Sequence, residues 1–167
     1  EISRLLAEKY GLSDHDVELV RMASPMHDVG KIGIADNILN KPGRLTKEEF
    51  DIMKTHTNIG YDILKSSNRK ILQAASIIAL QHHERWDGLG YPNGLKENEI
   101  HIFSQITSIV DVFDALSHKR IYKDAWELDK VLEFLREQRG AQFNPKLTDL
   151  FFKNLDDSVI GRTNEFL

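Results

Sequence analysis

The sequence contains no cysteine, which excludes disulfide bonds and thiolate metal sites. It has no apolar run near the roughly 18 residues that a membrane-spanning helix needs, and no signal peptide is visible. Basic residues are not in excess, since 22 Lys and Arg against 26 Asp and Glu give a formal net charge of -4. A nucleic-acid polymer is therefore a poor candidate partner, because such binding usually shows a basic footprint. We expect a cytoplasmic domain without membrane contact, whose charge still allows a small anionic ligand.

The residues that are present form helical patterns almost throughout. With 167 residues and a hydrophobic fraction of 41%, the chain suits one compact domain with a real core. Apolar residues recur at helical spacing, and strand-like alternation is not sustained anywhere. The sequence therefore predicts an all-α bundle. We assign residues 1–167 to a single domain, and because the first helix opens in mid-pattern we expect it to be excised from a longer chain.

Capping residues predict where several helices begin. Thr46 and Glu49 have the spacing of a capping box, which predicts one continuous helix over about residues 46–65. Asn144 followed by Pro145 predicts the start of the last helix. Glycine and proline mark two connections between helices, at residues 30–44 and 87–100.

Four of the seven histidines form a regular series with two aspartates. The members of the series are His27, Asp28, His56, His82, His83 and Asp111. Successive groups are separated by 28, 26 and 28 residues, each about the length of a helix plus its return. Each group lies in or at the end of a predicted helix, so a helical bundle can bring all of them to one place in the core.

Two adjacent histidines have a physical explanation in a site with more than one metal. Neighbouring residues on an ideal helix point about 100° apart, so His82 and His83 can each bind a different ion. The Asp28 carboxylate would bridge the two ions. Nitrogen and oxygen ligands suit iron, manganese, nickel or zinc, and ligand type alone does not choose among them. The remaining histidines stand alone and are interpreted as surface or helix-cap residues: His15, His101 and His118.

Each of these features also has an ordinary structural explanation when taken singly. A His-Asp pair is often a helix-end hydrogen bond, and Lys31 after a turn glycine is often merely an exposed lysine. The combination favours a shared metal site, because two of the pairs follow apolar helical stretches. An unpartnered polar group in such a place costs about 1–3 kcal/mol.

With these residues in view, the chain resembles the HD-GYP family, a branch of the HD metal-dependent phosphohydrolases. The matching segments are "HDVGK" at 27–31, "HHERWDGLGYP" at 82–92 and "DVFDALSHKRIYK" at 111–123. The resemblance implies an HD-type helical bundle with a metal centre in its core. It also implies a phosphodiesterase of bacterial signalling whose usual substrate is cyclic di-GMP, opened to pGpG and often cut further to GMP.

The resemblance assigns roles to individual residues. Two divalent metals, iron or manganese with zinc or nickel as alternatives, would be bound by His27, Asp28, His56, His82, His83 and Asp111. The catalytic residues implied are Asp28, which would bridge the two metals, and Lys31, which would lie beside them. Substrate contacts are implied for Lys31, Asp114, Arg120 and Lys123. Some members bind a third metal through residues that would lie upstream of Glu1, so the resemblance leaves open whether a third metal binds. It also implies a sensor or receiver domain upstream of this chain.

The implied reaction is attack on phosphorus by a hydroxide that bridges the two metals, without a covalent protein intermediate. Two alternatives remain: a non-catalytic receptor or interaction module, and a phosphodiesterase for another cyclic dinucleotide such as cyclic GMP-AMP. The loop after His83 is expected to rim the site, and in the family it is also a suggested docking surface for GGDEF-type cyclases, here through Tyr91. Glu84 and Asp87 are both candidates to orient a ligand histidine through a hydrogen bond. For Glu84 the alternative is a surface charge at the end of a helix.

Overall fold

The structure, a computed structural model, describes residues 1–118 and 126–155, and every named secondary-structure element in these ranges is a helix. Its α-helices are α1 (Ile2–Tyr10), α2 (Asp14–Ala23), α3 (Asp36–Leu39), α4 (Lys47–Lys54), α5 (His56–Leu64), α6 (Lys70–Gln81), α7 (Ile102–Ser117), α8 (Leu128–Glu137) and α9 (Pro145–Asn154). Three short 3-10 helices lie at Ser24–Met26, Val29–Gly33 and Glu97–Glu99. The all-α prediction is confirmed. None of the helices in the described ranges has the length and apolarity needed to cross a bilayer.

The predicted helix starts are present with their caps. The Thr46 hydroxyl accepts from the Glu49 amide, and the Glu49 carboxylate accepts from the Thr46 amide, which completes the capping box of α4. The Asn144 side chain caps α9, with Pro145 at its first position. These local signals are therefore confirmed.

The prediction of one continuous helix over residues 46–65 was wrong, because α4 ends at Lys54 and α5 begins at His56. The side chains of Thr55, His56 and Thr57 each donate to the backbone carbonyl three residues earlier. Such bonds compete with the helical ladder, and they redirect the chain so that the His56 ring enters the core. The predicted connection 30–44 also contains ordered structure, namely the 3-10 helix Val29–Gly33 and α3.

The core is formed mainly by α1, α2, α6, α7, α8 and α9. Its fully buried side chains include Leu6, Val20, Ile78, Ile106, Phe113, Leu135 and Phe151. The rings of Phe113 and Phe151 meet edge to face, with centroids 5.3 Å apart, and this contact joins α7 to α9. Burial of each such side chain contributes about 1.5–3 kcal/mol, so this core fixes the helices that carry the site.

A close backbone contact brings the segment after α2 onto α5. Gly30 is buried, and a Cβ atom there would collide with the carbonyl oxygen of His56 and the amide nitrogen of Gly60. Only glycine permits this approach. The contact places Asp28 beside His56, and it therefore sets up the site described next.

Candidate metal centre

The structure brings together the six side chains of the regular histidine and aspartate series. His27 and Asp28 lie between two 3-10 helices, and His56 is the first residue of α5. His82 and His83 directly follow α6, and Asp111 lies within α7. Four segments that are far apart in sequence therefore meet at one point of the bundle.

Three of these side chains present acceptor atoms to one another in a small triangle. The Nε2 atoms of His56 and His82 lie 3.4 Å apart. The Oδ1 atom of Asp28 lies 3.4 Å from His56 Nε2 and 3.7 Å from His82 Nε2. Within the described residues, Asp28 Oδ1 is buried and has no hydrogen-bond partner. This is unusual, because most buried acceptors in folded proteins are hydrogen-bonded.

Backbone carbonyls fix which ring nitrogens carry the protons. His56 Nδ1 lies 2.7 Å from the Met53 carbonyl, and His82 Nδ1 lies 3.0 Å from the Ala79 carbonyl. A carbonyl only accepts, so both Nδ1 atoms are donors, and the neutral rings turn lone pairs toward each other at Nε2. Carbonyl-oriented histidines of this kind are typical of metal ligands.

A cation would resolve the repulsion within this triangle. A point equidistant from three atoms at these separations lies about 2 Å from each, which is the usual bond length from zinc to histidine nitrogen or carboxylate oxygen. His83 supplies a further nitrogen, because ligand atoms of Asp28, His56, His82 and His83 all lie within 4.8 Å of one another. The residues therefore fit a divalent metal.

The second oxygen of Asp28 faces a different group. His27 Nε2 lies 3.4 Å from Asp28 Oδ2 and 3.3 Å from Asp111 Oδ1, while its Nδ1 atom lies 2.8 Å from the Ser24 carbonyl. Lys31 Nζ also contacts Asp28 Oδ2. Asp28 thus stands between two sets of ligand atoms, with one oxygen directed to each set.

The electrostatics of the metal-free site follow from burial and from these contacts. Burial opposes a charge on His27, but the carboxylates of Asp111 and Asp28 outweigh it and raise its pKa to about 10. Burial favours the neutral form of Asp28, yet the neighbouring His27, His82 and Lys31 hold its pKa far below the usual range. Burial and neighbouring imidazoles lower the pKa of His83 to about 3. The carboxylates of the site thus favour a positive charge beside them, and burial keeps His83 neutral. Both properties favour metal binding, because a histidine binds a metal through its neutral imidazole.

The implied substrate residues are only partly described. Lys31 is half-buried against Asp28. Asp114 lies one turn after Asp111 on α7, and its side chain is 67% exposed beside His118. Asp111, Asp114 and His27 line a cavity of about 210 Å³, which also reaches Arg21 and Thr107. Arg120 and Lys123 lie outside the described residues.

The loop that follows His83 is anchored by Glu84, whose role the sequence did not determine. Glu84 is only 2% exposed, and its two carboxylate oxygens accept from the amides of Asn93 and Leu95 at 2.7 and 2.9 Å. It contacts no ligand histidine and is not a surface charge. Gly90 packs so closely on the Glu84 backbone that a Cβ atom would collide with it. The sequence shows only an acidic residue directly after the His-His pair, and its burial is visible in the structure alone.

Two other residues of the loop have distinct positions. Asp87 pairs with Arg85 at 2.7 Å and accepts from the Leu89 amide, so it does not orient a ligand histidine. The Tyr91 ring stacks on the His83 ring, with centroids 4.8 Å apart and an interplanar angle of 24°. Burial and the charges of Asp28 and Asp111 raise the pKa of the Tyr91 phenol. The loop therefore does rim the site, and its Tyr91 ring lies directly against His83.

The three isolated histidines are surface or capping residues, as predicted. His15 is exposed on α2. His101 caps α7 by accepting from the Phe103 amide, and His118 closes the same helix through the Asp114 carbonyl. None of them approaches the six clustered side chains closely enough to join the candidate metal group within the described residues.

Fold and site together define a helical domain whose clustered side chains fit a divalent metal, and residues 1–147 match the model of the HD domain family. The chain belongs to the HD domain family. Its GYP loop, which follows His83 and contains Gly90, Tyr91 and Pro92, places it in the HD-GYP branch together with the relatives of 45% identity or more named below.

Several curated relatives are similar to this chain over most of its length. The chain is 48% identical to a cyclic di-GMP phosphodiesterase of Thermotoga maritima and 45% identical to the cyclic di-GMP phosphodiesterase response regulator RpfG of Xanthomonas campestris. It is 46% identical to the 3'3'-cGAMP-specific phosphodiesterase 2 of Vibrio cholerae. These matches cover 91%, 91% and 95% of this chain but only 41%, 40% and 30% of the respective relatives.

Among solved structures, the HDG"Y"P protein Bd1817 of Bdellovibrio bacteriovorus matches with a TM-score of 0.67 at 20% identity, over 90% of this chain and 47% of that one. The V. cholerae phosphodiesterase V-cGAP3 matches with the same TM-score at 17% identity, over 91% of this chain and 41% of that one. These two likenesses concern the fold.

Proposed function

We propose that the chain is a metal-dependent phosphodiesterase that hydrolyses cyclic di-GMP to pGpG, GMP or both. The observation that carries the proposal is the buried, unpartnered Oδ1 atom of Asp28, which faces the lone pairs of His56 and His82. A receptor that only binds ligand has no need for such a repulsive arrangement. The names of the T. maritima and X. campestris relatives support the substrate class.

The six clustered side chains would hold two divalent metals, for which iron or manganese is our first choice. Asp28 would bridge the pair, since its two oxygens face different ligand sets. The sequence suggested that His82 and His83 bind different ions, but their ligand atoms lie within 4.8 Å of each other and of His56, so we assign these three histidines to one ion. His27 and Asp111 would serve the other. Bound metals would supply Lewis-acid charge and lower the pKa of water, which is the chemistry that phosphodiester hydrolysis needs.

The remaining site residues would act on the substrate itself. Lys31 places a positive charge beside Asp28, where a phosphate oxygen gains negative charge in the transition state. Asp114 keeps an exposed carboxylate at the cavity edge, and a carboxylate can accept from the N1 and N2 donors of guanine. Arg120 and Lys123 retain the guanine and phosphate roles that the family resemblance implies.

A second candidate substrate is 3'3'-cGAMP. The specific observation in its favour is the V. cholerae relative, which is as similar to this chain as the cyclic di-GMP enzymes are. Guanine and adenine differ in a few hydrogen-bonding atoms, so the choice depends on residues at the base-binding edges.

The GYP loop would also offer a surface to GGDEF-type cyclase domains. Leu89 at its tip is 80% exposed, and a large apolar side chain in that position is suited to a protein contact. Glu84 holds the loop in place from within, so the tip is presented on a rigid base.

The test is anaerobic reconstitution with iron(II) or manganese, followed by incubation with cyclic di-GMP or 3'3'-cGAMP and chromatography of the products. Asp28→Asn should abolish turnover, whereas Asp62→Asn, on exposed α5 surface, should retain it. Binding of cyclic di-GMP without turnover would contradict the enzyme proposal and favour a receptor. Turnover of 3'3'-cGAMP alone would favour the second candidate.

A further inference from the structure

Helix α4 lies beside the candidate metal centre but buries none of its residues. Phe50 and Ile52 are each 46% exposed, although both are large and apolar. Leaving such side chains half in water forgoes much of the roughly 1.5–3 kcal/mol that full burial of each would contribute. Helix α4 therefore exposes large apolar side chains that are only partly buried.

An aromatic series runs from the metal centre to this face. The Tyr91 ring stacks on His83, and the Phe50 ring meets Tyr91 edge to face, with centroids 6.1 Å apart and an interplanar angle of 82°. Lys54 Nζ lies 5.4 Å from the Phe50 centroid and 5.9 Å from the Tyr91 centroid. Two rings and one cation thus stand together at the site, and none of these three residues lines the cavity at His27 and Asp111.

The chemistry of this group matches a purine base. An open aromatic face binds a nucleobase by stacking, and an adjacent lysine donates to the O6 and N7 acceptors of guanine. The cavity at His27 and Asp111 has a volume of about 210 Å³, below the 300 Å³ or more typical of drug-sized ligands. A ligand with two nucleotides must therefore extend onto another surface near the metals.

We propose that Phe50 is the stacking platform for one purine base of the dinucleotide, with Lys54 as the donor to the edge of that base. The inference rests on the proposed function for the identity of the ligand. It makes Phe50 a binding and specificity residue at the rim of the site, supplied by a helix that the HDVGK and GYP motifs do not include.

The experiment uses the metal-reconstituted chain and 2-aminopurine riboside 5'-monophosphate, whose fluorescence is quenched when its base stacks. Phe50→Leu is compared with Ile52→Leu, which introduces the same side chain on the same helix at the same exposed fraction. Loss of one aromatic platform should weaken binding about 5- to 100-fold and remove the quenching. Ile52→Leu should behave like wild type, and Phe50→Trp should retain both binding and quenching.

Steady-state kinetics with cyclic di-GMP form the second measurement. Phe50→Leu should raise KM by a similar factor and leave kcat within about twofold, as expected for uniform binding. Equal behaviour of Phe50→Leu and Ile52→Leu in the quenching assay, or retained quenching in Phe50→Leu, would overturn the inference. Absence of hydrolysis in wild type, with quenching that depends on Phe50, would overturn the proposed function and leave the purine platform standing.

Discussion

The sharpest structural prediction concerns Glu84, the buried anchor of the GYP loop. Its two oxygens accept from the amides of Asn93 and Leu95, and hydrogen bonds to a charged group contribute about 1.5–3 kcal/mol each. Glu84→Gln keeps one oxygen but turns an amide NH2 group toward a backbone donor. We therefore expect the free energy of unfolding to fall by about 2–4 kcal/mol, since one bond is lost and the other loses its charge. For a chain of this size that corresponds to a melting temperature about 5–15 °C lower.

The assay is urea unfolding of the metal-free protein followed by circular dichroism, so that metal affinity does not affect the result. Glu97→Gln is the matched control, because Glu97 lies in the same loop and is exposed. It should change the free energy of unfolding by less than about 0.5 kcal/mol. Hydrogen exchange provides a local readout at the Asn93 and Leu95 amides. A Glu84→Gln variant as stable as the control, with unchanged protection of these amides, would refute the anchoring role.

Further predictions concern the metal ligands and the loop. His82→Ala should weaken manganese binding, measured by calorimetry, by more than the roughly 10- to 100-fold typical of an outer-shell change, whereas His15→Ala should not. Because the pKa of His27 is raised to about 10, metal binding at pH 7.5 should release a proton, detected as a dependence of the heat on buffer ionisation enthalpy. The pKa of His83 is lowered from 6.5 to about 3, so the unfolded chain protonates first. The contribution of His83 to metal-free stability should be fully present above about pH 6.5 and be lost as the pH is lowered toward 3, so stability should fall with a smaller slope in His83→Asn over this range. Gly90→Ala should destabilise the chain by about 1–3 kcal/mol in urea unfolding, because its Cβ meets backbone atoms.

Periodicity and spacing predicted the helical fold and the convergence of the clustered side chains. The groups recur every 26 to 28 residues, and a helix with its return naturally brings such positions to the same level of a bundle. The break at Thr55 was missed because neither glycine nor proline marks it. It depends on three consecutive side chains bonding back to carbonyls, and only the run Thr55-His56-Thr57 could have indicated it.

The roles of Glu84 and Phe50 could not be read from the sequence, for different reasons. Glu84 looks like a helix-end charge, and its burial depends on a loop that folds back over it from Asn93 and Leu95. Phe50 is a large apolar residue on a helix, yet within the described residues α4 buries none of its side chains and Phe50 stays 46% exposed. Exposure of this kind is a property of packing, which local pattern does not determine.

The regular separation of the clustered side chains has a consequence for a protein that has no cysteine. An ion bound by His56, His82 and Asp28 would tie together loops of more than twenty residues, as a disulfide does in a secreted protein, but as a removable cross-link. At a free-metal concentration 1,000 times the Kd, such a tie adds about 4 kcal/mol to the free energy of unfolding. The lifetime of the folded chain would then follow the supply of metal in its surroundings.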